Sequence, residues 1–133
     1  MGMYTEFHFN AELKADVPQN VLDILRFMLK KTDICPELPP HPLFETERWK
    51  RMLMSDSYCF SADTHSTLRF DNITNSYYLC VRCNLKNYDN EIGKFTDWIM
   101  PYLGEPDGNF LGFSRYEENE QPNLIFYKAT KKD

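Results

Sequence analysis

Tyr4-Thr5-Glu6-Phe7-His8-Phe9-Asn10-Ala11-Glu12-Leu13 alternates without a break. Thr5, Phe7, Phe9, Ala11 and Leu13 fall on one side of an extended chain, and Tyr4, Glu6, His8, Asn10 and Glu12 on the other. A period of two with one apolar and one polar side predicts a strand buried on a single face. Antiparallel sheets have that property, whereas strands covered on both faces read as continuous apolar runs. Ser76 to Leu85 repeats the pattern. There Tyr77, Leu79, Val81, Cys83 and Leu85 turn inward, and Tyr78, Cys80, Arg82 and Asn84 outward.

Other segments arrange themselves around these two. Val21, Leu22, Leu25, Met28 and Leu29 recur at helical spacing and predict a helix over 17–31, with Asp16 as its cap and Pro18 in its first turn. Pro36, Pro39, Pro40 and Pro42 make 32–42 an extended connection. Phe44 and the stretch from Thr46 to Leu53 suggest a short second helix that closes one end of the core. Tyr58 to Ser61 and Thr67 to Asp71 read as strands, the latter with Leu68 and Phe70 inward and Arg69 and Asp71 outward. Asp71-Asn72-Ile73-Thr74-Asn75 carries turn residues and predicts a hairpin. A third helix is expected from a cap at Asp89 to Leu103, weakened in its last turn by Pro101. Phe110 to Glu117 and Leu124 to Lys128 complete the set as an antiparallel pair.

The element order predicts one α+β domain spanning residues 1–133: an antiparallel sheet with helices on one face. A ferredoxin-like, split β-α-β variant with extra strands meets the crossover rule, with the two alternating strands adjacent in mid-sheet.

Ten Phe, eight Tyr and two Trp in 133 residues supply the bulk for a core without disulfides or metal. Apolar residues at 42% and charged residues at 26% exclude a disordered chain. Fifteen Lys and Arg against 20 Asp and Glu leave a net charge of −5, which argues against duplex nucleic acid as a partner. No apolar run reaches a membrane span, so the expectation is a cytoplasmic chain without leader or membrane contact. Cys80-Val81-Arg82-Cys83 has CxxC spacing, but in a strand residues three apart face opposite sides. Cys35, Cys59, Cys80 and Cys83 are therefore expected as reduced thiols, with no metal and no cofactor. No Gly-rich phosphate loop, GxSxG or HExxH occurs, and no catalytic residue is assigned.

The uncovered face of the sheet is the candidate site. Glu6, His8, Asn10, Tyr78, Cys80 and Arg82 share it, Arg69 and Asp71 join from one neighbour, and Tyr116 and Ser114 from another. Guanidinium groups grip phosphate or carboxylate oxygens in pairs, and phenol rings stack on flat ligands. The expected function is a non-catalytic binding protein that holds a small anionic, nucleotide-like ligand. Arg69 and Arg82 would neutralise it, Tyr78 and Tyr116 would stack, and Glu6, His8 and Asn10 would orient its polar edges. The same residues also fit an ordinary polar sheet face with a Glu6–Arg82 cross-strand ion pair. The alternative function is a protein-interaction module, acting as an inhibitor or a homodimer, that works through this face or the acidic surface; the outward Tyr4 and Tyr78 also suit a protein partner. A hydrolase using His8 or His65 stands third. His41, between prolines, is expected to be solvated, and Asp63 with His65 offers two metal ligands without a defining spacing.

Met3-Tyr4-Thr5-Glu6-Phe7, the stretch from Asp63 to Asp71, and Asn87-Tyr88-Asp89-Asn90-Glu91-Ile92 give the chain a further aspect. In these it resembles small uncharacterised proteins encoded by phages and mobile elements. The resemblance implies no catalytic residue. It implies one of two tasks: sequestering a nucleotide signal of a host defence system, or blocking a host protein directly.

Overall fold

A computed structural model describes residues 4–57 and 64–128. Five antiparallel strands form one sheet: β1 (Thr5–Glu12), β2 (Thr67–Asp71), β3 (Ser76–Leu85), β4 (Phe110–Tyr116) and β5 (Asn123–Phe126). Their spatial order is β2-β3-β1-β4-β5, so the two alternating strands are neighbours, with β1 at the centre. The strand expected at Tyr58 to Ser61 lies outside the described residues.

Two helices, α1 (Gln19–Met28) and α2 (Glu91–Ile99), cover one face. Phe7 and Phe9 are fully buried there, and each meets the ring of Phe95 edge-on, at centroid distances of 6.1 and 5.9 Å. Val21, Leu22, Ile24, Leu25 and Met28 from α1, and Ile92, Phe95, Trp98 and Ile99 from α2, complete the core with Leu79, Val81, Cys83 and Leu85 of β3. The alternation of β1 and β3 is thus realised as an apolar face under two helices, an α+β architecture.

Helix boundaries differ from expectation for local reasons. Asp16 does not cap α1. Pro18 occupies the N-cap with an extended backbone at ψ 144, so the helix starts after it. The helix ends at Met28 rather than Lys31. Lys30 takes the left-handed conformation at φ 61, while its N–H bonds to the Phe27 carbonyl and that of Lys31 to Arg26. This is a Schellman closure with lysine where glycine is usual.

The expected second helix over 46–53 is absent. The chain instead makes two 3₁₀ turns, Pro42–Glu45 and Met52–Met54. Thr46, extended at ψ 155, ends the first and bonds its hydroxyl back to the Leu43 carbonyl at 2.7 Å. The segment still closes one end of the core: Trp49 packs edge-on against Phe44 at 4.9 Å, and Phe44 against Trp98 at 5.4 Å.

Asp89 likewise does not cap α2. Asn90 stands at that position with φ 54, and the Asn87 side-chain oxygen accepts from the Ile92 N–H at 2.9 Å. Pro101 converts the last turn to 3₁₀ over Met100–Tyr102, and Leu103 bridges to Leu13 beyond it. The hairpin between β2 and β3 forms as read. Asp71 accepts from the Ile73 N–H at 2.9 Å, and Asn75 supplies the left-handed residue at φ 58.

Candidate functional site

Antiparallel register fixes which side chains share the open face. His8 lies opposite Arg82 on β3 and opposite Phe113 on β4, and Phe113 lies opposite Leu124 on β5. A row Arg82, His8, Phe113, Leu124 therefore crosses four strands. A second row joins Asn84, Glu6 and Arg115, and a third joins Arg69, Tyr78 and Glu12. Glu6, His8, Asn10, Arg69, Tyr78 and Arg82 are brought onto one face as expected, because the period of two holds on β1, β2 and β3. Asn10, Arg69 and Arg82 are exposed there; His8 and Tyr78 are half-buried.

Tyr116 and Ser114 are not on this face. They lie opposite Thr5 and Phe7, on the helix-covered side, and line a recess with Thr5, Asn87, Tyr88 and Asn123. The β1–β4 register fixes this phase, while the β4–β5 ladder slips between Phe110 and Gly112. Arg115 and Phe113 take the outward positions instead. The Tyr116 phenol is pushed above its ordinary pKa by desolvation first, then by Glu118, Glu117 and Tyr88.

The charges on the face are organised around Glu6. One carboxylate oxygen lies 3.1 Å from His8 Nε2, and the other accepts from Arg115 Nε at 3.3 Å. The guanidinium beside Glu6 is thus Arg115, while the β3 residue opposite Glu6 is Asn84, not Arg82. The His8 ring stacks on Phe113 with centroids 4.5 Å apart and planes 16° apart. Ser76 donates to Glu12 at 2.7 Å.

Beyond Phe113 the face changes character. Leu124, Phe126 and Phe110 are 56%, 44% and 53% exposed, and the two phenyl rings meet at 5.6 Å. These residues went unremarked in the sequence because Phe110-Leu111-Gly112-Phe113 does not alternate. Ile125 and Tyr127 pack inward between them.

The histidines divide by role. His41 is not simply solvated: its Nδ1 accepts from the Leu43 N–H at 3.1 Å, and its Nε2 lies 3.0 Å from Asp97. His65 is exposed, and its backbone exchanges two hydrogen bonds with Arg82, at 2.7 and 3.1 Å. Asp63 lies outside the described residues, and among the described residues no cluster of three metal-ligating side chains occurs. Cys80 and Cys83 face opposite sides, Cys83 fully buried beneath the helices, where desolvation raises its thiol pKa far above the ordinary range. No helix among the described residues is long and apolar enough to cross a membrane.

A second feature lies at the end of the sheet where β1 begins and β3 finishes. A cleft of about 370 Å³ opens there between Tyr4, Leu85 and Lys86 on one side and the segment carrying Arg48, Arg51 and Met52 on the other. Nothing in the sequence marks it, since its walls come from three separated stretches. Comparison with protein-family models, curated proteins and solved structures returns no match for this chain.

Proposed function

We propose that the chain is a non-catalytic binding module that works through the open face of its sheet, and that the β4–β5 half of that face docks a second copy. The observation that carries this reading is compositional and geometric at once. The five strands contain three arginines and no lysine, and all three arginines, Arg69, Arg82 and Arg115, stand on the open face. Arginine and aromatic enrichment with lysine depletion is the signature of interface cores.

The apolar end of the face supports docking more directly than ligand capture. Phe110, Leu124 and Phe126 form a contiguous exposed patch beside an edge strand. β5 carries no charge and no proline, the devices that normally keep an edge from pairing. Antiparallel pairing of β5 with β5 of another molecule about a two-fold axis places the same apolar side chains of each against the other. The small-anion reading of this face loses Tyr116 as a stacking ring, and Glu6, an intended orienting group, is engaged by His8 and Arg115.

Sedimentation equilibrium tests the assignment, with the wild-type chain expected to be dimeric at about 100 μM, a modest demand on affinity. Phe126→Asp, a change at an exposed position, is expected to give a folded monomer. A monomeric wild type at that concentration, or a dimer that survives Phe126→Asp and Leu124→Asp together, overturns it.

A further inference from the structure

The cleft at the β1–β3 end has the chemistry of an anion site. Among the described residues, Arg48, Arg51 and Lys86 line it together with a single carboxylate, Glu47. Three cations against one anion reverse the sign of a protein whose net charge is −5. None of the three cations is paired with a carboxylate among the described residues. Two of them rest on aromatic rings instead: the Arg48 guanidinium lies 5.0 Å from the centre of Tyr88, and Lys86 Nζ 5.6 Å from that of Tyr4. Such contacts hold the cations in place without neutralising them.

The walls are fixed before any ligand arrives. The Arg51 N–H bonds to the Arg48 carbonyl at 3.0 Å, so both guanidiniums leave one tight turn. The Asn84 N–H bonds to the Ser55 carbonyl at 3.1 Å, which ties the strap to β3. Tyr4 is held across the opening by its own N–H to the Glu117 carboxylate at 2.5 Å. Met52 and Leu85, both essentially buried, close the bottom of the cleft. A volume of about 370 Å³ falls within the range of small-molecule sites.

We infer that this cleft binds a phosphate monoester carrying a flat ring, a nucleoside monophosphate in chemical class. The phosphate takes the guanidinium forks of Arg48 and Arg51 with the Lys86 ammonium, and the ring packs beside the Tyr4 phenol. Both halves of the ligand are needed. A bare phosphate leaves the Tyr4 ring uncovered, and a nucleoside leaves the cations without a counter-charge.

Titration calorimetry on the full chain, with the four common ribonucleoside 5′-monophosphates, inorganic phosphate and adenosine as probes, tests this. At least one monophosphate is expected to bind at least about tenfold more tightly than inorganic phosphate and adenosine, and to weaken as salt rises. Arg51→Ala, at an exposed position, should weaken that monophosphate about ten- to a hundredfold, as the loss of a charge-assisted bond does. Arg69→Ala, on the open sheet face, should leave it unchanged, and thermal melting of both variants confirms that they are folded. No binding by any of the four, equal binding of nucleoside and nucleotide, or a loss caused by Arg69→Ala and not by Arg51→Ala overturns the assignment. Because these readouts do not depend on self-association, they stand or fall separately from the docking of β5.

Discussion

The imidazole of His8 lies flat on the phenyl ring of Phe113, 4.5 Å between centroids and 16° between planes. This contact joins the charged and the apolar halves of the open face. Glu6 fixes the other side of the arrangement through Nε2 of the same ring, so one histidine is held by a carboxylate at its edge and an aromatic on its face.

Phe113→Leu keeps the apolar bulk and removes the stack. It is expected to lower stability by about 1 kcal/mol, the typical worth of an aromatic pair beyond its burial. Urea unfolding measures the loss, and the His8 ring proton resonances should move as the ring current disappears. A variant with unchanged stability and unchanged His8 resonances would show that the rings do not stack in solution.

At Gly112 the backbone of β1 leaves no room for a side chain on β4. A Cβ placed there would sit 1.9 Å from the His8 carbonyl oxygen and 2.9 Å from the Phe9 Cα. The obstacle is backbone, which cannot rotate away, so Gly112→Ala must separate the two strands. The expected penalty is about 3 kcal/mol, at the upper end for overpacking, seen as a lower midpoint in denaturant. A variant as stable as the wild type would mean that the β1–β4 register is not the one described.

Cys83 gives a pH dependence with a definite sign. Burial raises its thiol pKa far above the ordinary 9.0, while in the unfolded chain the thiol ionises near that ordinary value. Above about pH 9 the unfolded state therefore holds fewer protons than the folded one, and stability falls as pH rises. The slope from this one group approaches about 1.4 kcal/mol per pH unit. Comparing urea midpoints of wild type and Cys83→Ala from pH 7 to 10 isolates it, because only the wild type carries this component. Iodoacetamide is expected to label the exposed Cys35 in the native protein and Cys83 only on unfolding. Labelling of native Cys83, or identical slopes for both proteins, would contradict its burial.

How much was legible in the chain follows from the range of the forces involved. Alternation along β1 and β3 is a property of neighbouring residues, since a strand must send successive side chains to opposite sides. For that reason the α+β class, the central pair, the helix-covered face and the outward placement of Glu6, His8, Asn10, Arg69, Tyr78 and Arg82 could be read directly. The caps were less legible, because Pro18, Asn87 and Thr46 won their positions through backbone geometry that competing residues nearby could equally have supplied.

What β4 presents outward was settled only in three dimensions. Pairing with β1 fixes its phase: Gly112 falls where the β1 backbone leaves no room for a side chain, and Arg115 rather than Tyr116 lies opposite Glu6. The cleft depended on the fold still more completely. Tyr4, the turn from Arg48 to Arg51, and Lys86 belong to three separated stretches, and only the antiparallel pairing of β1 with β3, capped by the strap from Thr46 to Ser55, draws them together. A strand's period is written in adjacent residues, whereas the convergence of like charges is a long-range arrangement that the rest of the core must hold in place.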